Sequence, residues 1–60
     1  MTMTRAEREE WLRNATNEEV IKQLRVAVSF MMNGKTEYTQ ELGAENYELA
    51  EAEILRRMQR

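Results

Sequence analysis

The sequence predicts an all-α protein in which a short N-terminal helix precedes an antiparallel helical hairpin. Its 60 residues include no proline and only two glycines, the two residue types that most disfavour a helix interior. Residues 4–7 and 16–19 each carry the capping-box pattern that marks a helix start. Together these observations predict one small helical domain over residues 1–60, with helices at about residues 5–14, 17–33 and 44–58 and a linker at residues 34–43.

The first predicted helix, at residues 5–14, has little apolar surface. Arg5 and Glu9 lie four positions apart on its polar face, where opposite charges stabilise a helix. Its large apolar side chains are Trp11 and Leu12, and a helix of about ten residues does not persist alone in water. We therefore expect Trp11 and Leu12 to dock onto another part of this subunit or onto a partner.

The second predicted helix begins at the Thr16 capping box and is amphipathic. At about 100° per residue, its apolar residues fall on one line: Val20, Leu24, Ala27 and Met31. Residues 25–40 also fit a β-hairpin, because apolar residues alternate before Asn33 and Gly34, a common hairpin turn. The unbroken helical line favours a helix that stops at Gly34, and the hairpin stays open as the alternative.

The third predicted helix covers residues 44–58. Its glutamates precede its arginines, an order that complements the helix dipole. Its apolar line consists of Tyr47, Ala50, Ile54 and Met58. In the preceding linker, Thr36 can cap a short helical turn that ends at Gly43.

Three apolar residues, Val26, Phe30 and Leu49, lie off these lines. Either the second helix is buried on two sides within one subunit, or these residues form a self-association seam. The seam would join two helical hairpins into a homodimer with a four-helix core. We favour the homodimer, because a chain this short needs additional burial or cross-links, and it has no cysteine.

The residue types needed for most catalysis are missing. The chain has no histidine and no cysteine, which removes disulfides, the usual zinc ligand sets, the commonest general base and the best nucleophile. Glutamates spaced along a helix, such as Glu45 and Glu48, lack the glycine-bearing loop of a calcium site. We expect no enzymatic activity, no cofactor, no metal and no small-molecule substrate.

Charge and hydropathy point to a cytoplasmic protein. A net charge of −2 gives no field that attracts nucleic acid or an anionic membrane. No apolar run approaches the roughly 20 residues of a membrane span, and the N-terminus lacks the apolar core of a signal peptide. The basic cluster near the C-terminus consists of Arg56, Arg57 and Arg60.

Two segments, TNEEVI at residues 16–21 and EILRR at residues 53–57, resemble parts of short phage-encoded helical proteins. Some proteins of that kind bind and block a host enzyme or defence complex. The same pair of segments is similar to the helical hairpin of the sporulation checkpoint inhibitor of histidine kinases in bacilli. The resemblance implies an inhibitor, in the host cytoplasm if it is phage-encoded, and assigns no functional residue.

The leading hypothesis is a non-enzymatic protein-binding module that inhibits or regulates a larger protein by occupying its surface. Trp11, Leu12 and Tyr38 are the expected anchors, because aromatic side chains dominate binding energy at interfaces. The alternative is a small nucleic-acid-binding regulator that uses the basic cluster at Arg56, Arg57 and Arg60.

Overall fold

A computed structural model describes residues 3–59 and shows three helices in that range: α1 (Arg5–Asn14), α2 (Asn17–Asn33) and α3 (Glu37–Met58). No β-strand occurs between residues 3 and 59. The all-α prediction is therefore confirmed. The segment that fits a β-hairpin in sequence is the end of α2, a tight link and the start of α3.

Both predicted capping boxes are formed. At α1, the Thr4 hydroxyl accepts from the Glu7 amide at 3.2 Å, and the Thr4 amide donates to the Glu7 carboxylate at 2.9 Å. At α2, Thr16 and Glu19 exchange the same bonds at 3.1 and 2.9 Å. These bonds satisfy amides that have no partner inside the helix, which is why both helices begin at the predicted positions.

The third helix starts earlier than predicted, so the linker proposed at residues 34–43 is wrong. Thr36 caps α3 by accepting from the Thr39 amide at 3.1 Å, and the helix continues through Gly43. Gly43 is buried against α2: a Cβ there would lie 2.8 Å from Phe30 Cβ and 2.9 Å from the Ala27 carbonyl oxygen. The missing side chain lets the two helices approach closely, so this glycine is a packing residue and not a stop signal.

The core is small and is built from all three helices. α2 packs along α3 over most of its length, and α1 packs on α3. A buried cluster joins one residue of α1, one of α2 and two of α3: Leu12, Val20, Leu49 and Ala50. Ala27 is also buried, opposite Gly43.

Candidate protein-binding surface

Arg57 ties α3 to the junction between α1 and α2. Its Nη2 donates to the carbonyl oxygens of Leu12 at 2.9 Å and Ala15 at 2.7 Å, and its Nη1 donates to Asn17 Oδ1 at 2.5 Å. The last carbonyls of a helix have no partner within the helix. Arg57 supplies that partner for the end of α1 and fixes where α1 ends on α3.

Glu53 holds Arg57 in place from within α3. Its carboxylate is only 7% exposed and accepts from Arg57 Nε at 2.6 Å and from Arg56 Nη2 at 2.5 Å. The hydrogen bond from Arg56 is the largest cause that lowers the pKa of Glu53, and burial acts in the opposite direction. Glu53 was not predicted as a functional residue, although its spacing of three and four positions from two arginines is a recognisable signal in the sequence.

Two arginines of the predicted basic cluster form ion pairs within the subunit. Arg56 and Arg57 both bind Glu53, and Arg57 also binds backbone oxygens. The Arg57 side chain is only 22% exposed, whereas the Arg56 side chain remains 57% exposed. Arg60, the third residue of the predicted basic cluster, lies outside the described residues.

A second ion pair holds the other end of α1. Arg8 bonds to Glu45 of α3, and Arg5 Nη1 lies 3.9 Å from the same carboxylate. With Arg57 near the end of α1 and Glu45 near its start, α1 runs parallel to α3. It covers one side of the α2–α3 hairpin from about residue 45 of α3 to Arg57.

The cover that α1 provides corrects two predictions. Leu49 is 6% exposed and packs with Leu12 in the core, so it cannot belong to a surface seam. Leu12 docks within its own subunit, which is one of the two outcomes expected for it, so the prediction that it anchors a partner is wrong. The helical period placed Leu49 away from Tyr47 and Ile54, and α1 fills that space.

Beyond the start of α1, the same side of the hairpin is open. Val26 and Phe30 of α2 are 37% and 40% exposed, so α2 is not buried there on both sides. The explanation that neighbouring helices cover these residues within one subunit is wrong. Tyr38 of α3 is 65% exposed. It precedes Leu49 by about three helical turns, and therefore lies on the side of α3 that α1 contacts.

Trp11 forms the edge of α1 beside this open region. Its indole is 42% exposed and lines a groove of about 210 Å³ together with Gln23 of α2 and Asn46 of α3. Gln23 lies on the helical line that continues through Val26 and Phe30. Four predicted residues therefore lie on one side of the molecule, and we call this surface the aromatic face: Trp11, Val26, Phe30 and Tyr38.

Comparison with protein-family models, with curated proteins and with solved structures gives no match. In the range from residue 3 to residue 59, no helix has the length and apolarity to cross a membrane. Over the same range, no three acidic side chains come together as a metal site would require.

Proposed function

We propose that this protein is a small non-enzymatic protein-binding module that inhibits or regulates a larger protein through the aromatic face. The observation that carries the proposal is the exposure of Trp11, Val26, Phe30 and Tyr38 on one side of the hairpin. Exposed apolar side chains are unremarkable one at a time, whereas a group of them on one surface marks a binding site.

The chemistry of this surface suits binding. Tryptophan and tyrosine are enriched among the residues that carry most of the energy of protein interfaces. Their large rings lose little conformational freedom when they are immobilised. A partner that fits would present an apolar pocket for the Trp11 indole and a shallow apolar strip for Val26 and Phe30.

The way α1 is held supports the same proposal. An ion pair from Arg8 to Glu45 holds one end of α1, and a hydrogen bond from Arg57 to the carbonyl oxygen of Leu12 holds the other, so the helix that carries Trp11 is attached to α3 at both ends. A surface that is already ordered before binding loses less entropy on association. The resemblance of residues 16–21 and 53–57 to phage-encoded helical proteins adds the expectation of an inhibitor of a host enzyme or defence complex.

Affinity capture with two adjacent glutamate substitutions tests the proposal. Phe30→Glu places a charge on the aromatic face, whereas Ser29→Glu places the same charge on exposed surface about 100° around α2. We expect wild type and Ser29→Glu to retain the same partner from bacterial lysate, and Phe30→Glu to lose it. Equal retention by both variants, with equal helical content by circular dichroism, contradicts binding through the aromatic face.

A further inference from the structure

The side of the hairpin opposite α1 carries a second apolar surface. Ile21 of α2 and Ile54 and Met58 of α3 line a groove of about 310 Å³ to which α1 contributes no residue. Ile21 is 45% exposed and Met58 is 73% exposed. Met58 was predicted to lie on the apolar line of the third helix, but its side chain is exposed to solvent.

Helical spacing extends this surface along the hairpin. Val28 and Met32 follow Ile21 by seven and eleven positions, and therefore lie on nearly the same line of α2. Met32 is also exposed. We call this surface the groove face, formed by Ile21, Val28 and Met32 of α2 and by Ile54 and Met58 of α3.

The subunit exposes more surface than is expected for a folded monomer of its mass. The subunit exposes 4938 Å², whereas a folded monomer of its 7.2 kDa is expected to expose about 4100 Å². The difference is close to the roughly 800 Å² that each partner buries in a standard protein interface.

One charged residue on each helix of the groove face is complementary to the other. Arg25 follows Ile21 by four positions on α2, and Glu51 precedes Met58 by seven positions on α3, so both lie on the side of the hairpin that carries the groove face. Both residues are exposed, and within residues 3–59 neither forms an ion pair. The groove face therefore has a basic residue on α2 and an acidic residue on α3, without partners in their own subunit.

We propose that a second copy of this chain covers the groove face, which gives a homodimer with a four-helix core. The two-fold axis runs parallel to the helices, so that α2 of each subunit packs on α3 of the other. Apolar residues of the two groove faces then meet at the centre. Arg25 of each α2 then meets Glu51 of the partner subunit.

The register within the subunit agrees with this pairing. Gly43 lies against Ala27 and Met31, and Ile54 lies in the same groove as Ile21. Residues 22–25 of α2 are therefore level with residues 48–51 of α3. A two-fold axis parallel to the helices preserves these levels, so Arg25 lies within one helical turn of Glu51 of the partner subunit and can reach it.

The charged residue that lines the Trp11 groove of the aromatic face, Arg8, is already paired with Glu45 within the subunit. The self-association seam predicted at Val26, Phe30 and Leu49 is thus replaced by a seam on the other side of the hairpin. The aromatic face remains open in the dimer.

A charge exchange tests the dimer and its symmetry. Arg25→Glu brings two glutamates together at each edge of a homodimer, and Glu51→Arg brings two arginines together. We expect each variant alone to have the 7.2 kDa mass of one chain, and an equimolar mixture to form a dimer that contains one of each. Light scattering and native mass spectrometry measure both results.

Persistence of the wild-type dimer mass in both single variants, or failure of their mixture to dimerise, overturns the proposed pairing. A wild-type mass of one chain at every accessible concentration overturns the dimer itself. Restored association in the mixture also shows that each variant was folded.

Glutamate substitutions of two apolar residues, one on each face, locate the interface. Ile21→Glu is expected to halve the solution mass, while Phe30→Glu leaves the mass unchanged. The reverse result overturns the groove face as the seam. Loss of partner capture with Phe30→Glu bears only on the aromatic face, so the proposed function and the dimer are tested separately.

Discussion

The Nε atom of Arg57 lies 2.6 Å from the buried carboxylate of Glu53, while the Nη2 atom of the same arginine reaches the carbonyl oxygen of Leu12 at 2.9 Å. Through this relationship one residue of α3 joins the end of α1 to the start of α2. The place of Trp11 on the aromatic face depends on it, because the position of Trp11 follows from the position of α1.

Arg57→Ala is expected to reduce the free energy of unfolding by on the order of 3 kcal/mol, because it removes one partner of a largely buried ion pair. The carbonyls of Leu12 and Ala15 lose their donor as well. Urea denaturation followed by circular dichroism measures the change. Arg13→Ala is the control, since Arg13 is exposed and surface substitutions usually change stability by no more than about 0.5 kcal/mol.

Arg57→Lys should recover only a small part of the loss, because an ammonium group cannot reproduce the planar set of donors of a guanidinium group. If Arg57→Ala and Arg13→Ala have equal effects, Arg57 does not hold the helices together.

Stability should fall as the solution becomes acidic. The pKa of Glu53 is lowered from its usual value of 4.5, chiefly by the hydrogen bond from Arg56. The unfolded chain therefore binds a proton at a higher pH than the folded chain. The stabilisation is complete above the unfolded pKa and is lost as the pH falls through the folded pKa.

Glu53→Gln isolates the contribution of this carboxylate to the acid response. The difference in unfolding free energy between wild type and Glu53→Gln should shrink as the pH decreases below about 4.5. Denaturant titrations over a series of pH values measure it. A difference that does not vary with pH would show that the Glu53 charge contributes no stability.

Thr16→Ala is expected to destabilise the fold by about 1 kcal/mol, the usual effect of removing an N-cap hydroxyl. The hydroxyl of Thr16 accepts from the amide of Glu19, and the reciprocal bond contributes most to the lowered pKa of Glu19. Thermal unfolding measures the effect. Ser29→Ala, in the interior of α2 and exposed, serves as the control and should not destabilise the fold.

Gly43→Ala is expected to destabilise the fold although alanine is the better helix former by about 1 kcal/mol. The added Cβ would lie 2.8 Å from Phe30 Cβ, 2.9 Å from the Ala27 oxygen and 3.0 Å from the Met31 nitrogen. Backbone atoms cannot yield as a flexible side chain does, so α3 must move away from α2. Denaturant unfolding measures the change in stability. An increase would show that α2 and α3 can accommodate a Cβ at position 43.

Ala52→Gly provides the matched control for helix propensity. Ala52 is exposed within α3, so the substitution should lower stability only by the propensity difference of about 1 kcal/mol. Opposite preferences for alanine at positions 43 and 52 would separate close packing from intrinsic propensity.

Part of the candidate surface followed from the sequence. Val26 and Phe30 were recognisable because they lie off the apolar line of α2, and Trp11 and Tyr38 because they are large aromatic residues in polar surroundings. Their grouping on one side of the molecule was not predictable, since it depends on α1 running parallel to α3. Leu49 showed the same off-line pattern as Val26, yet α1 buries it.

Local chemistry in the sequence determined the helical class and the starts of α1 and α2. A capping box involves residues within four positions of one another, so no distant part of the chain is needed to form it. Only the tertiary structure decided that Gly43 continues a helix, that Glu53 is buried and that Leu49 belongs to the core. Each of these outcomes depends on a neighbouring helix that a local pattern does not contain, because packing is decided by whatever surface faces the residue.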